Sequence, residues 1–374
     1  MARLEEVCEI LDSKRVPITA KDRVAGPYPY YGANGIQDYV ADYIFDDELV
    51  LLAEDGGHFG SADKPIAYRV SGKCWVNNHA HVLKAKECID IDYLCYSLMF
   101  RDVSDIVNGA TRQKLTQADM RKIEILLLPL EEQRPVVARI SKLFELIALR
   151  KEQLAKLDEL VKARFVEMFG DLADPACSWD VIKLVDACAN TDDIKCGPFG
   201  TQLSKDEYQS DGVAVWEIPQ INSRFRTKPT HYLSVDKAFQ LEAYSIIPGD
   251  IAMSRKGNVG KCAVFPSAFE NGIIHSDVLR IRVDSIKAHP VFVMHQLHYS
   301  RSVQHQIELV SSGAIMAGIN VTKLKQIQIH LPPLELQEKF ASFVEQTNKT
   351  KLTIQASLDK LEVMKKALMQ EYFG

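Results

Sequence analysis

The stretch "LPLEEQRPVVARISKLFE" begins at Leu128, and "PPLELQEKFASFVEQTN" begins at Pro332. Each carries a proline, Leu-Glu, a glutamine two residues on, and then a long polar-apolar pattern of helical period. The two are related by a constant step of 204 positions, from Gly109 and Gly313 to Gly170 and Gly374. Over these 62 ungapped residues 17 pairs are identical, where unrelated sequences give roughly four. A second echo lies near the N-terminus, where "RLEEVC" from Arg3 resembles "KLVDAC" from Lys183, 180 positions away. The chain therefore reads as two diverged copies of one unit, with about 24 extra residues in the front part of the second copy. A period this long denotes duplicated domains rather than a solenoid of short repeats.

The long segment after each echo sets the fold class. Glu131 to Met168 contains no glycine, and Pro135 lies in the expected first turn, where proline is tolerated. Leu143, Ile147, Arg150, Leu154, Leu157, Val161, Arg164 and Met168 recur in a 4-3-4-3 rhythm, the spacing of a coiled-coil seam. Gly170 and Pro175 end that helix. Its counterpart spans Glu335 to Tyr372, with Ile354, Leu358, Leu361, Leu368 and Tyr372 on the seam and Lys365 interrupting it. Polar-rich helices of about 57 Å are not stable alone in water, so the two are expected to pair, antiparallel under a two-fold relation, with a globular domain at each end. The expected architecture is α+β, a pseudo-two-fold duplication of two globular domains separated by two long antiparallel helices. The boundaries are 1–130, 131–170, 171–334 and 335–374, the second and fourth being the helices. Residues 1–130 and 176–334 read as short strands and turns, with "PYPYYGANG" (Pro27–Gly35) and "GGHFG" (Gly56–Gly60) as loop markers.

Composition narrows the class. Hydrophobic residues make up 47% of the 374 and charged residues 25%, the usage of an ordinary globular protein large enough for two cores. The N-terminus "MARLEEVCEI" is too charged for a signal-peptide core, and no apolar run reaches membrane-spanning length, so a cytoplasmic location is expected. Eight cysteines form no C-x-x-C pair or zinc-spaced cluster, which suits reduced thiols and no metal. A net charge of −5 excludes a general basic coat, so any nucleic acid must be met by local patches or with the help of partner subunits.

At this point the chain resembles the specificity subunit of a Type I restriction-modification system. The resemblance rests on "PYYGANGI" ending at Ile36, "NGATRQKL" (Asn108–Leu115), "LLPLEEQ" (Leu127–Gln133), "FGTQL" (Phe199–Leu203), "IPQIN" (Ile218–Asn222) and "LPPLELQ" (Leu331–Gln337). Their doubled order, with a long helix after each set, carries more weight than any single motif. It covers the whole chain. The resemblance implies a non-catalytic DNA-binding subunit whose two target-recognition domains each read one half of a bipartite, asymmetric site in double-stranded DNA. It further implies that the helices set the spacer and dock two modification (methyltransferase) subunits. Restriction subunits would join the full complex, and S-adenosylmethionine would bind the modification subunit, not this chain. Both helical regions here have little sequence beyond the helix itself.

The residue chemistry agrees on what is missing. An adenine methyltransferase needs an Asn/Asp-Pro-Pro-aromatic loop around the flipped base, and "LPPL" has neither the amide nor the aromatic. No phosphate-cradling P-loop is present. The acid-x-Lys strings at Asp12-Ser13-Lys14 and Asp193-Ile194-Lys195 lack the preceding Pro-Asp of a nuclease centre.

Base edges are read by Arg, Lys, Asn, Gln and Ser, and phosphates by Lys, Arg and loop amides. In the first domain the candidates are Tyr30, Tyr31, Asn34, His58, Lys64, Asn77, Asn78 and His79, with Arg112, Gln113 and Lys114 before the helix. The tyrosines serve equally well as core. In the second domain they are Gln202, Gln220, Asn222, Arg224, Arg226, Arg255, Lys256, Asn258 and His275. Gln220 and Asn222 serve equally well as buried amides. "EDGGHFGS" (Glu54–Ser61) aligns with "SRKGNVGK" (Ser254–Lys261) at a step of 200, acidic in one copy and basic in the other, so the two domains are expected to see different sequences. His79 and His275 occupy matching places in "NHAHVL" and "IHSDVL", a pattern that also fits structural histidines. Two other classes compete. A coiled-coil adaptor with protein-binding ends suits the net charge, and a self-contained enzyme is disfavoured by the absent motifs.

Overall fold

In a computed structural model that describes residues 1–109, 113–172, 174, 177–311 and 318–374, the chain forms two compact units. The first comprises Met1–Gln153 and Ile354–Gly374, the second Leu154–Thr353. Arg112 and Pro175 lie outside the described residues.

The two long helices run Leu130–Phe169 and Leu334–Phe373. Their limits repeat the 204-residue step of the sequence. Each helix is divided between the units, so the unit boundaries fall inside the helices, at 153/154 and 353/354. Within the first unit Arg139 donates to the Tyr372 hydroxyl at 3.0 Å, and Lys151 pairs with Glu362 at 2.9 Å. Within the second, Lys351 reaches Asp158 at 2.6 Å, and the Phe165 and Phe340 rings meet edge to face at 5.4 Å. Partner numbers rise on one helix as they fall on the other, which makes the pairing antiparallel. Leu143, Ile147, Val161 and Leu358 are buried, and Leu154, Leu157, Met168, Ile354, Leu361, Leu368 and Tyr372 are half-buried. Lys365 does not break the seam. It pairs with Glu362 while its ammonium lies over the Phe100 and Phe144 rings. Pro135 sits further in than expected, as the sixth helical residue, and leaves the Glu131 carbonyl without its backbone donor. Gly170 closes the first helix in the left-handed region, φ +76°, a conformation open to glycine at little strain.

The first unit is built on a six-stranded sheet in the order β2-β7-β5-β6-β3-β4. These strands are β2 (Cys8–Ile10), β3 (Ala25–Gly32), β4 (Gly35–Val40), β5 (Phe45–Ala53), β6 (Ala67–Val76) and β7 (Ala80–Ala85), while β1 (Ala2–Arg3) pairs with β8 (Glu124–Ile125). Val50, Leu52 and Leu83 face the helix Ile91–Met99 and the end of the second long helix, where Phe373 packs on Tyr93 at 5.1 Å. The second unit pairs β9 (Asp180–Lys183) with β18 (Gln328–Leu331) and holds two four-stranded sheets. One orders β10 (Ile194–Cys196), β17 (Val278–Ile281), β14 (Ile251–Ser254) and β15 (Cys262–Val264). The other orders β12 (His231–Leu233), β11 (Val213–Trp216), β16 (Gly272–Ile274) and β13 (Ser245–Ile246).

The glutamine of each repeated phrase explains its own recurrence. Gln133 and Gln337 are both fully buried just inside their long helices. Gln133 accepts from the Asp90 N–H at 2.7 Å and donates to the Leu128 and Cys88 carbonyls. Gln337 accepts from the His289 N–H at 2.8 Å and donates to the Pro332 carbonyl. Asp90 and His289 each cap a short helix, Ile91–Met99 and Pro290–Tyr299. One side chain thus ties the entrance of each long helix to the body of its unit.

Candidate nucleic-acid interface

Three segments converge at the C-terminal end of β5 in the first unit. Leu115 N–H donates to the Glu54 carbonyl at 2.7 Å, Glu54 N–H to that of His79 at 2.9 Å, and Gly56 N–H to that of Gln113 at 3.1 Å. Asn34 adds its side-chain amide to the Gly56 carbonyl at 3.0 Å. The candidates Asn34, Asn78, His79, Gln113 and Lys114 are thereby gathered on one loop cluster, with Asn34, Asn78, Gln113 and Lys114 exposed. His58, half-buried, follows on the same hairpin, while exposed Lys64 lies further along, next to Asp63, which pairs with Lys366.

Beneath the cluster lies a charge network. Arg15 meets Glu54 at 2.5 Å, Lys114 meets Glu54 at 2.9 Å, and His81 meets Asp12 at 2.6 Å. Burial acts to raise the Asp12 carboxyl, but hydrogen bonds from His81, Val82 N–H and Gln117 prevail and hold it below its ordinary range. Glu54 is also held low: burial opposes ionisation, and Lys114 and Arg15 outweigh it. Asp12, Glu54 and His81 bring their donor atoms within 4.8 Å of one another, but Arg15 and Lys114 supply the positive charge there. The constellation is an ion-pair network.

The second unit repeats the cluster. Ile319 N–H donates to the Arg255 carbonyl at 3.1 Å, and Arg255 N–H to that of Asp277 at 2.9 Å. These bonds match Arg255 to Glu54 and Asp277 to His79, so the hairpins align one residue further on than the step of 200 that their glycines suggest. His275 then matches Asn77, not His79: Asn77 N–H donates to the Tyr31 carbonyl and His275 N–H to that of Trp216. Both side chains cap the same turn, Asn77 Oδ1 accepting from the His79 N–H at 2.8 Å and His275 Nδ1 from the Asp277 N–H at 3.2 Å. On this shared backbone the carboxylate changes place, from the hairpin in the first unit to the turn in the second. Asp55 faces His79 at 2.6 Å in the first unit, and Lys256 faces Asp277 at 2.8 Å in the second.

Several candidates lie elsewhere. Tyr30 is core, 1% exposed, with its hydroxyl accepting from the Ile18 N–H. Tyr31 is half-buried against Tyr68. Asn77 is buried by its turn-capping role, with its amide donating to Gln37 at 3.0 Å. Gln220 is buried, accepting from the Glu217 N–H and donating to the Lys228 carbonyl. Asn222 is half-buried in the same turn. Arg224, at φ +53°, reaches Asp158 on the first long helix at 3.4 Å, and Arg226 follows it, exposed. Gln202 is exposed but occupied, accepting from the Phe199 N–H at 3.2 Å and the Tyr244 hydroxyl at 3.0 Å. Asn258 is exposed at the hairpin tip. The sequence reading passed over Arg15 and Phe199, because their partners Glu54 and Arg255 are distant in sequence.

The family model for the Type I restriction modification DNA specificity domain matches residues 1–159 and again 179–363. A putative type I restriction enzyme specificity subunit of Haemophilus influenzae is 28% identical over 368 residues, covering 91% of this chain and 86% of the relative. The MjaVIII specificity subunit of Methanocaldococcus jannaschii is 21% identical over 399 residues, covering 99% and 90%. Among solved structures, the S subunit of a Type-I restriction-modification system from M. genitalium shares the fold with a TM-score of 0.64 at 13% identity, covering 100% of this chain and 95% of that one. With two copies of the specificity domain spanning most of its length, each carrying the same three-segment loop cluster, the chain belongs to the Type I restriction-modification DNA specificity family.

Proposed function

We propose that the chain is the non-catalytic specificity subunit of a Type I complex, each unit reading one half of a bipartite, asymmetric site in double-stranded DNA. The observation that carries this reading is the loop cluster, in which the backbone bonds joining hairpin, turn and third segment recur in both units while the carboxylate of the facing pair moves from the hairpin (Asp55) to the turn (Asp277). Two equal frameworks bearing unequal side chains suit two unequal half-sites. Exposed Asn34, Asn78, Gln113 and Lys114 supply base-edge and phosphate donors in the first unit, and Lys256 and Asn258 in the second. In this reading the paired helices set the spacer between half-sites and dock two modification subunits, on which S-adenosylmethionine binds. Restriction subunits complete the assembly. Asp158, held between Lys351 and Arg224, belongs to the helix side of the second unit and has a positioning role.

The test is domain exchange. Residues 1–108 are replaced by the equivalent segment of a relative, and adenine methylation is mapped genome-wide in cells supplying the modification subunits. One half of the methylated motif should change and the other persist. A motif altered in both halves, with the protein folded, would remove the one-unit, one-half-site assignment.

A further inference from the structure

Phe199 is half exposed, and among the described aromatics of the second unit only Phe239, on the helix Val235–Gln240, is more open to solvent. Two contacts and a brace behind one of them fix it. Its N–H is held by Gln202 Oε1, Gln202 is held in turn by the Tyr244 hydroxyl, and the Arg255 guanidinium lies 4.8 Å from the ring centroid. The approach of this segment to the hairpin turn depends on Gly197, where a Cβ would come within 2.3 Å of the His275 carbonyl oxygen.

Arg255 is equally constrained. Its Nε donates to the Ile319 carbonyl at 3.2 Å, and Nη1 to Cys196 Sγ and the Ser276 carbonyl. Among the described residues Nη2 has no acceptor, so two of its five N–H groups remain unspent. The first unit closes the same place differently: there the hairpin supplies Glu54, and Arg15 pairs with it directly. A held aromatic beside a guanidinium edge with no acceptor among the described residues is arranged to meet something outside the unit.

Resting on the function proposed above, we infer that Phe199 is a DNA contact of the second unit. It makes the apolar contact to a base edge in the groove, while Arg255 Nη2 donates to the adjoining base or phosphate. The apolar group that a base edge shows in the major groove is the thymine methyl. Gln202, Tyr244 and Gly197 are positioning residues that hold the ring in place.

The experiment uses the full chain assembled with its modification subunits and a duplex carrying its own methylated motif. Phe199→Ala should weaken binding roughly fourfold or more, the worth of one methyl-sized group removed from water, without changing the slope of affinity against salt, because the ring carries no charge. Phe199→Glu provides the folding control. A carboxylate beside Arg255 replaces a cation–π contact with an ion pair, the solution the first unit already uses, so thermal stability should hold while DNA binding falls below that of Phe199→Ala. Uracil for thymine across the second half-site should weaken the wild-type complex and have less effect on Phe199→Ala. Binding by both variants within twofold of wild type would overturn the inference. A wild-type complex that does not prefer its methylated motif over a scrambled duplex would instead defeat the underlying reading, whatever Phe199 does.

Discussion

Gln133 offers the sharpest test of how the fold is held. Its amide makes three hydrogen bonds in a site without solvent: it accepts from Asp90 N–H at 2.7 Å and donates to the Leu128 and Cys88 carbonyls at 2.7 and 3.1 Å. Gln133→Ala leaves a buried donor unpaired and strips a partner from two carbonyls. At about 0.5–1.5 kcal/mol per lost bond, with an unpaired buried group costing about 1–3 kcal/mol, the loss should be about 2–4 kcal/mol. Gln337 makes two such bonds, so Gln337→Ala should cost less, about 1–3 kcal/mol. Gln133→Glu is more informative. One oxygen can still accept from Asp90, but the other faces two carbonyls and must carry a proton to stay there. The folded carboxyl is then raised above its unfolded value of about 4.3. A raised acid is stable in its protonated form, so this variant should approach wild type below about pH 4 and lose stability as pH rises above it. The assay is urea unfolding followed by probes in each unit, from pH 4 to 8. A Gln133→Ala variant within 0.5 kcal/mol of wild type, or a pH-independent difference for Gln133→Glu, would refute the argument.

Three further outcomes rest on the same geometry. Asp12 is ionised below its ordinary range, so it stabilises the first unit above about pH 4 and that contribution is lost as pH falls through its folded value. Asp12→Asn should therefore narrow its deficit against wild type as urea titrations are taken from pH 5 to pH 2. Burial depresses His298 to about 4, so between about pH 6.5 and 4 the unfolded chain takes up a proton that the second unit does not. Stability of that unit should fall across this window, and His298→Gln, which keeps an acceptor for the Cys262 N–H, should lessen the slope. Four residues inserted after both Leu154 and Leu358 add about 6 Å of helix, nearly two base steps at about 3.4 Å. Methylation mapping should show a spacer longer by one or two base pairs, and an active variant with an unchanged spacer would show that the helices do not set it.

The helices were legible in the sequence because their signal is periodic and local. The glycine-free run, the seam positions and Gly170 fixed the helix limits to within one residue of Leu130–Phe169. The doubling was legible for the same reason, as ungapped identity survives divergence. The site was legible as loops but not as side chains. Whether Tyr30, Asn77 or Gln220 faces outward depends on strands and turns that close over them from elsewhere in the chain, and amide-rich turns look alike whether they bind DNA or their own backbone. The histidine echo misled for a related reason. His79 and His275 share letters, but the backbone bonds match His275 to Asn77, because both imidazole and amide can cap a turn.

On the proposed function, the relocated carboxylate suggests how one framework could serve two different half-sites. Two of the bonds that position the loop cluster, hairpin to turn and third segment to hairpin, run between backbone amides and carbonyls and recur in both units whatever side chains the hairpin carries. Buried Gln133 and Gln337 hold the helix entrances. The contacts that differ, Asp55 with His79 and Lys256 with Asp277, are partly exposed, where even a full ion pair contributes about 0–1 kcal/mol. Exchanging one for the other therefore leaves folding almost unaffected. For an incoming polyanion the exchange is large, because a lysine and a carboxylate at the loop tip set opposite fields over a Debye length of about 8 Å. Stability resides in the groups that the duplication preserved, and discrimination in groups whose replacement hardly disturbs the fold. Each unit is thus free to change what it contacts without changing how it stands.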